Sequence, residues 1–137
     1  PHDMPWAATL EIAPRVLVAE DDPALLALIA SSLRSNGCTV IECSSGHDLL
    51  RIVTDSPTIA DLLISDVRMP GVTGLEVLEG LAELGWTAPV ILMTAFGDAA
   101  LHATARRYGA AATFDKPFDI DDLLTAARMV LGERREV

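Results

Sequence analysis

Residues 15–37 read RVLVAEDDPALLALIASSLRSNG, and the order of residue types in this stretch sets the architecture of the chain. Arg15 to Ala19 is an apolar run of strand length. Three carboxylates follow, Glu20, Asp21 and Asp22, and then Pro23 opens a long amphipathic run that Gly37 closes. Asp22 is placed to accept from the free N–H groups of a first helical turn, and Pro23 lacks a donor that such a turn leaves unsatisfied in any case. Gly37 suits the left-handed backbone just beyond a last turn. The stretch is therefore a strand, an acidic corner and a helix.

The same grammar repeats to the end of the chain. CTVIEC (38–43) reads as a second strand and SGHDLLRIVTDS (45–56) as a helix stopped by Pro57. DLLIS (61–65) precedes TGLEVLEGLAELG (73–85), where Leu75, Leu78, Leu81, Ala82 and Leu84 form an apolar stripe. PVILMT (89–94) precedes GDAALHATARRYG (97–109). A short AATF (111–114) precedes DIDDLLTAARMVLG (119–132), capped by Asp119. Five strand–helix units in succession predict a doubly wound α/β domain, because parallel strands need crossovers and right-handed crossovers put helices on both faces of the sheet.

Composition agrees and excludes several functions. With 137 residues, half of them hydrophobic, the chain can bury one good core but not two. Ten Lys plus Arg against twenty Asp plus Glu give a net charge of -10, which removes the electrostatic basis for direct binding to nucleic acid. No apolar run is long enough to span a bilayer, and residues 1–14 lack the pattern of a signal peptide, so the expected location is the cytoplasm. Cys38 and Cys43, five apart in one strand, point to opposite faces and are expected to be reduced packing residues. Residues 1–14, with prolines near both ends, read as a disordered tail or an expression remnant in which Trp6 has no chemical role. The domain is expected over 15–132, with 133–137 a C-terminal tail or the start of a linker.

In doubly wound sheets, ligands bind beyond the carboxyl ends of the strands. At those ends stand Glu20 and Asp21, Asp66, Thr94, and Lys116 after the fifth strand. Each has a plain structural reading: acids after a strand often cap helices, Asp66 could open a turn, and a loop lysine is usually solvated. Their joint occurrence on one rim points further. Clustered carboxylates need a cation among them. Oxygen donors without a nearby His or Cys suit Mg²⁺, since His2, His47 and His102 are scattered along the chain. Carboxylates with a lysine and a hydroxyl around a metal form a cradle for a phosphoryl group, with one carboxylate free to act as nucleophile. Lys116 is the chain's sole lysine among nine arginines, which fits a tight cradle where a compact ammonium has room and a guanidinium does not.

The segments VLVAEDDPALL, LLISDVRMPGVTGLEVL, VILMTAFGD and FDKPF together resemble the receiver domain of bacterial two-component response regulators, over residues 15 to about 132. The resemblance implies a flavodoxin-like, CheY-like sheet of order 2-1-3-4-5. It implies Asp66 as phosphoacceptor, Asp21 as a direct Mg²⁺ ligand, Glu20 as a neighbour acting largely through water, and the backbone carbonyl of Arg68 as a further ligand. Thr94 matches the switch hydroxyl and Lys116 the phosphate-binding lysine, before a proline that usually follows a cis peptide. Pro70 and Gly71 match the turn after the acceptor. The implied donor is a histidine kinase, a phosphotransfer protein or a small acyl phosphate. The implied readout face is the fourth helix, fifth strand and fifth helix, acting on a partner, on an output domain outside this chain, or in a phosphorylation-dependent homodimer. One position departs from the pattern: three residues before the lysine, where the family usually carries an aromatic ring, stands Thr113, while Phe114 falls on the opposite face as core.

Other classes fit less well. A haloacid-dehalogenase-type hydrolase wants a second Asp two residues after its nucleophile, and that position is Arg68. A flavodoxin-like FMN carrier needs a Ser/Thr/Gly-rich loop after the first strand, where this chain has EDDPALL. The alternative on the same fold is an interaction module that works without phosphorylation; catalysis, if any, is confined to the domain's own modification.

Overall fold

The computed structural model describes residues 5–10, 12–69, 72–95 and 99–135. In chain order the elements are a 3₁₀ turn (Trp6–Thr9), β1 (Arg15–Ala19), α1 (Pro23–Ser35), β2 (Thr39–Cys43), α2 (Gly46–Asp55), β3 (Leu62–Asp66), β4 (Arg68–Met69), β5 (Val72–Thr73), α3 (Gly74–Glu83), β6 (Val90–Ala95), α4 (Ala99–Arg107), β7 (Ala112–Lys116) and α5 (Ile120–Arg135). The main sheet is parallel with order β2-β1-β3-β6-β7. Setting aside the two-residue strands β4 and β5, that is the expected 2-1-3-4-5.

Alternation along the strands divides the core in two. Leu17 and Ala19 of β1, Leu63 of β3 and Leu92 of β6 face Leu49 and Val53 of α2, Val77, Leu78 and Leu81 of α3, and Ala105 of α4. Val16 and Val18, Leu62 and Ile64, and Ile91 and Met93 face Leu26, Ile29 and Leu33 of α1 and Leu123, Ala127 and Leu131 of α5. Central strand β3 is therefore buried on both faces, whereas edge strands β2 and β7 are only partly covered. Cys38 lies in one cluster and Cys43 in the other, both as free thiols. Burial, aided by the charge of Asp48, pushes the Cys43 thiol up to about 12, so it stays protonated at neutral pH.

Helix ends follow the local signals. Asp22 accepts from the Ala24 N–H at 3.0 Å with Pro23 in the first turn. Thr73 and Glu76 form a reciprocal capping box on α3. Gly37, at φ +97°, closes α1, with the Cys38 N–H donating to the Leu33 carbonyl and the Gly37 N–H to that of Arg34.

Three features differ from the sequence reading. The last strand runs through Lys116 rather than ending at Phe114, because β6 continues to Ala95 and pairs with it there. Arg68–Met69 and Val72–Thr73 form a small antiparallel ladder that no local propensity announces; the intervening Pro70 and Gly71, read as a turn, lie outside the described residues. The tail reading of residues 1–14 does not describe the segment around Trp6. The Ala7 N–H donates to the Asn36 carbonyl at 2.8 Å, and the Ala7 side chain is buried with Leu33, Cys38 and Leu131. The reason is Gly37: a Cβ there would meet the Ala8 nitrogen at 2.7 Å, so the missing side chain lets the two backbones touch.

Candidate functional site at the carboxyl ends of the strands

Parallel strands bring their carboxyl ends to one rim, and the pairing of β1, β3, β6 and β7 puts residues distant in sequence side by side there. Asp66 is the last residue of β3. Its Oδ2 accepts from Lys116 Nζ at 3.0 Å and its Oδ1 from the Arg68 backbone N–H at 3.2 Å. Glu20, the residue after β1, is 0% exposed, and a buried carboxylate without partners would be strongly disfavoured. Its oxygens are partnered: Oε1 accepts from Lys116 Nζ at 2.5 Å and Oε2 from the Asp22 N–H at 3.0 Å. Lys116 thus joins two carboxylates from two strands while itself belonging to a third. The peptide bond from Lys116 to Pro117 is cis.

Burial raises the Glu20 carboxyl above its ordinary value despite the Asp22 N–H and the Lys116 ammonium, and the charge of Asp66 adds to the rise. Burial works against the Lys116 ammonium too. Hydrogen bonds to Glu20 and Asp66, and their charges, outweigh it and hold Lys116 above its ordinary value. Three carboxylates, Glu20, Asp21 and Asp66, stand around one ammonium, so the pocket carries more negative than positive charge and favours a further cation. Oxygens of Glu20, Asp21 and Asp66 lie within 4.8 Å of one another, with Asp21 exposed and the other two buried. An all-oxygen donor set open on one side suits a hard divalent ion that keeps some of its water, so these residues fit Mg²⁺.

The remaining rim residues are placed differently. Thr94, buried on β6, donates its hydroxyl to the Ala95 carbonyl at 3.2 Å rather than to the carboxylates. Arg68 presents its N–H to Asp66, while its side chain is exposed.

One group was not anticipated. His102 of α4 lies with Nδ1 2.7 Å from the Thr113 hydroxyl and Nε2 2.7 Å from Asp115 Oδ1, bridging two β7 residues that share a face. The signal available in the sequence was helical spacing. His102 precedes the buried Ala105 by three and so shares its sheet-facing side. Phe114 points to the other face, toward the α1–α5 cluster, with its ring 5.9 Å from that of Phe118.

Fold and rim together define a class: a doubly wound α/β domain with an acidic, oxygen-donor site bridged by a lysine at its strand ends. The chain belongs to the response regulator receiver domain family, whose sequence pattern matches residues 16–128. It is 37% identical over 121 residues to the transcriptional regulatory protein FixJ of Azorhizobium caulinodans, covering 88% of this chain and 56% of that protein. It is 29% identical over 117 residues to sporulation initiation phosphotransferase F of Bacillus subtilis, covering 85% and 93%. Among solved structures, the signal receiver domain of a LuxO repressor protein from Vibrio parahaemolyticus superimposes with a TM-score of 0.83 at 26% identity, over 90% of this chain and 94% of that one. The chain spans about half the length of FixJ and about a quarter of the C4-dicarboxylate transport regulator DctD of Pseudomonas aeruginosa. Receiver domains are signalling switches of two-component systems rather than conventional enzymes. Among the described residues no helix is long and apolar enough to cross a membrane.

Proposed function

We propose that this domain is a phosphoacceptor switch in which Asp66 takes a phosphoryl group from a phosphohistidine of a histidine kinase or phosphotransfer protein, or from a small acyl phosphate. The observation that carries this reading is the shared ammonium: Lys116 Nζ is bound at once to Asp66 Oδ2 and to the fully buried Glu20. The Asp66 carboxylate, presented on the most buried strand, attacks phosphorus in line; a new O–P bond forms as the bond to the donor breaks. Lys116 is poised to pass from the carboxylate oxygen to a phosphoryl oxygen, keeping its anchor on Glu20. Glu20, Asp21 and Asp66, with the Arg68 carbonyl beside them, would hold Mg²⁺, which when bound neutralises charge on the transferring group. Thr94, whose hydroxyl is held among the described residues by a neighbouring carbonyl alone, is free to turn toward the phosphate and so favour a second arrangement of the strand end and α4.

The readout belongs to the face of α4, β7 and α5 and is taken by a partner, a second copy, or an output domain outside these residues. The longer relatives named as transcriptional regulators support that last arrangement. The domain works in the cytoplasm, and its net charge of -10 leaves contact with nucleic acid to such an output domain. Treatment with acetyl phosphate and Mg²⁺ should add one phosphate to the intact mass, and Asp66→Asn should abolish the addition. Undiminished labelling of that variant would sink the assignment.

A further inference from the structure

Helix α4 is weakly seated. Of its nine residues Ala105 alone is fully buried, Leu101 packs partly against the same cluster, and most of the rest is exposed. A helix held by a methyl group and part of a leucine has little apolar area to fix its position on the sheet. What fixes it sideways is polar. His102 reaches β7 with both ring nitrogens, 2.7 Å to Thr113 and 2.7 Å to Asp115. An ionised Asp115 can only accept, so Nε2 carries the proton, and in the neutral ring Nδ1 accepts from the Thr113 hydroxyl. Each ring atom has one partner of the right kind, and the two partners are two residues apart on one strand face. Rotation or sliding of α4 must break at least one of these bonds.

The anchor points are next to the rim. Asp115 is paired in register with Thr94 and immediately precedes Lys116, which is itself in register with Ala95, the acceptor of the Thr94 hydroxyl. Thr94 and Asp115 therefore stand side by side on adjacent strands. A change in Thr94 or in the strand end at Lys116 meets Asp115 first, and Asp115 is tied to α4.

We infer that His102 is the positioning residue that couples the acidic site to helix α4, through a polar bridge to Thr113 and Asp115. It touches neither phosphate nor metal. Its work is to make the position of α4 depend on the state of the β6 and β7 strand ends, so that a shift at Thr94 or Lys116 becomes a displacement of the helix. The bridge supplies from α4 a ring lying against β7, at the very residue, Thr113, where the strand itself offers none. This inference rests on the phosphoacceptor reading above.

The test compares wild type, His102→Ala, His102→Gln and Thr113→Val by amide shifts of residues 99–107 with and without Mg²⁺ and beryllofluoride. Intact mass after acetyl phosphate treatment is read in parallel. His102→Ala should fold and load Asp66 as wild type does, yet its phosphate-mimic-dependent shifts over 99–107 should shrink about threefold or more, the effect of cutting one coupled element out of a two-state response. Gln, with one donor and one acceptor at its tip, should restore much of the response, and Thr113→Val, which keeps volume but removes the hydroxyl, should reproduce part of the loss. A merely structural histidine would not be rescued by Gln and would not be mimicked by a hydroxyl deletion of equal size. Wild-type-sized shifts in His102→Ala, or loss of Asp66 loading in that variant, would overturn the inference. Failure of wild type itself to load Asp66 would instead overturn the phosphoacceptor reading, and the inference with it.

Discussion

Lys116→Met, which keeps an unbranched side chain as far as Cε and deletes the charged nitrogen, leaves Glu20 and Asp66 facing each other without the ammonium that joins them at 2.5 and 3.0 Å. Breaking a buried ion pair by removing one partner costs about 3–5 kcal/mol. Here the lysine side chain is 25% exposed while those of Glu20 and Asp66 are at 0% and 7%, so water screens one partner and not the others. The expected loss is therefore about 2–3 kcal/mol in metal-free buffer at neutral pH. For a chain of this length that lowers the melting temperature by roughly 6–15 °C. The sign of its pH dependence follows from Glu20. A carboxyl whose folded value lies above its unfolded one binds a proton more readily when folded, so the folded state gains as pH falls through the folded value toward the unfolded one. Deleting Lys116 removes an influence that lowers Glu20 and raises it further. The deficit should be largest at neutral pH and shrink as the carboxyls protonate toward about pH 4. Saturating Mg²⁺ should narrow it as well, because the ion supplies the missing positive charge. Thermal melts from pH 4 to 8, with chelator or with Mg²⁺, give all three readings. A variant as stable as wild type at neutral pH in chelator would refute the account of the lysine as the bond between the two carboxylates.

Two further outcomes are expected. Asp21→Asn removes the exposed member of the acidic group and should abolish most of the rise in melting temperature that Mg²⁺ gives wild type, with little change in chelator; a preserved Mg²⁺ effect would place the ion elsewhere. Gly37→Ala should cost about 1–3 kcal/mol from backbone strain at φ +97°, plus the collision with Ala8. Deleting residues 1–9 in that background should relieve the collision but not the strain, so the two changes will be non-additive, and strict additivity of their effects on the melting temperature would disprove the contact.

The sheet was legible because its determinants are local. Apolar runs, the Asp22–Pro23 start, the Asp119 cap and the Gly37 stop each act within a few residues, and right-handed crossovers then leave few arrangements. Glu20, Asp21, Asp66 and Lys116 could be singled out for a related reason: in a parallel sheet every residue just past a strand shares one rim, so position along the chain converts to position in space. His102 could not be read in that way. Its partners are eleven and thirteen residues distant, and their meeting depends on how α4 lies across β7, a matter of tertiary packing that helical spacing alone leaves unspecified. The turn at Trp6–Thr9 was missed because what holds it is an absent side chain at Gly37, and an absence gives no hydrophobic pattern to detect.

Asp66 and Lys116 sit on strands of very different security, since β3 is buried along its whole length between β1 and β6, while β7 is a partly exposed edge paired on one side. Amide protons of β3 should exchange with solvent only when the whole domain opens, and those of β7 and α4 through smaller openings that leave the rest closed. On the proposed function, the residue that would receive the phosphoryl group is thus fixed to the part of the molecule that yields last, and the residues that would respond belong to the part that yields first. A signal written on the rigid strand can be expressed by local loosening at the edge, without drawing on the stability of the core.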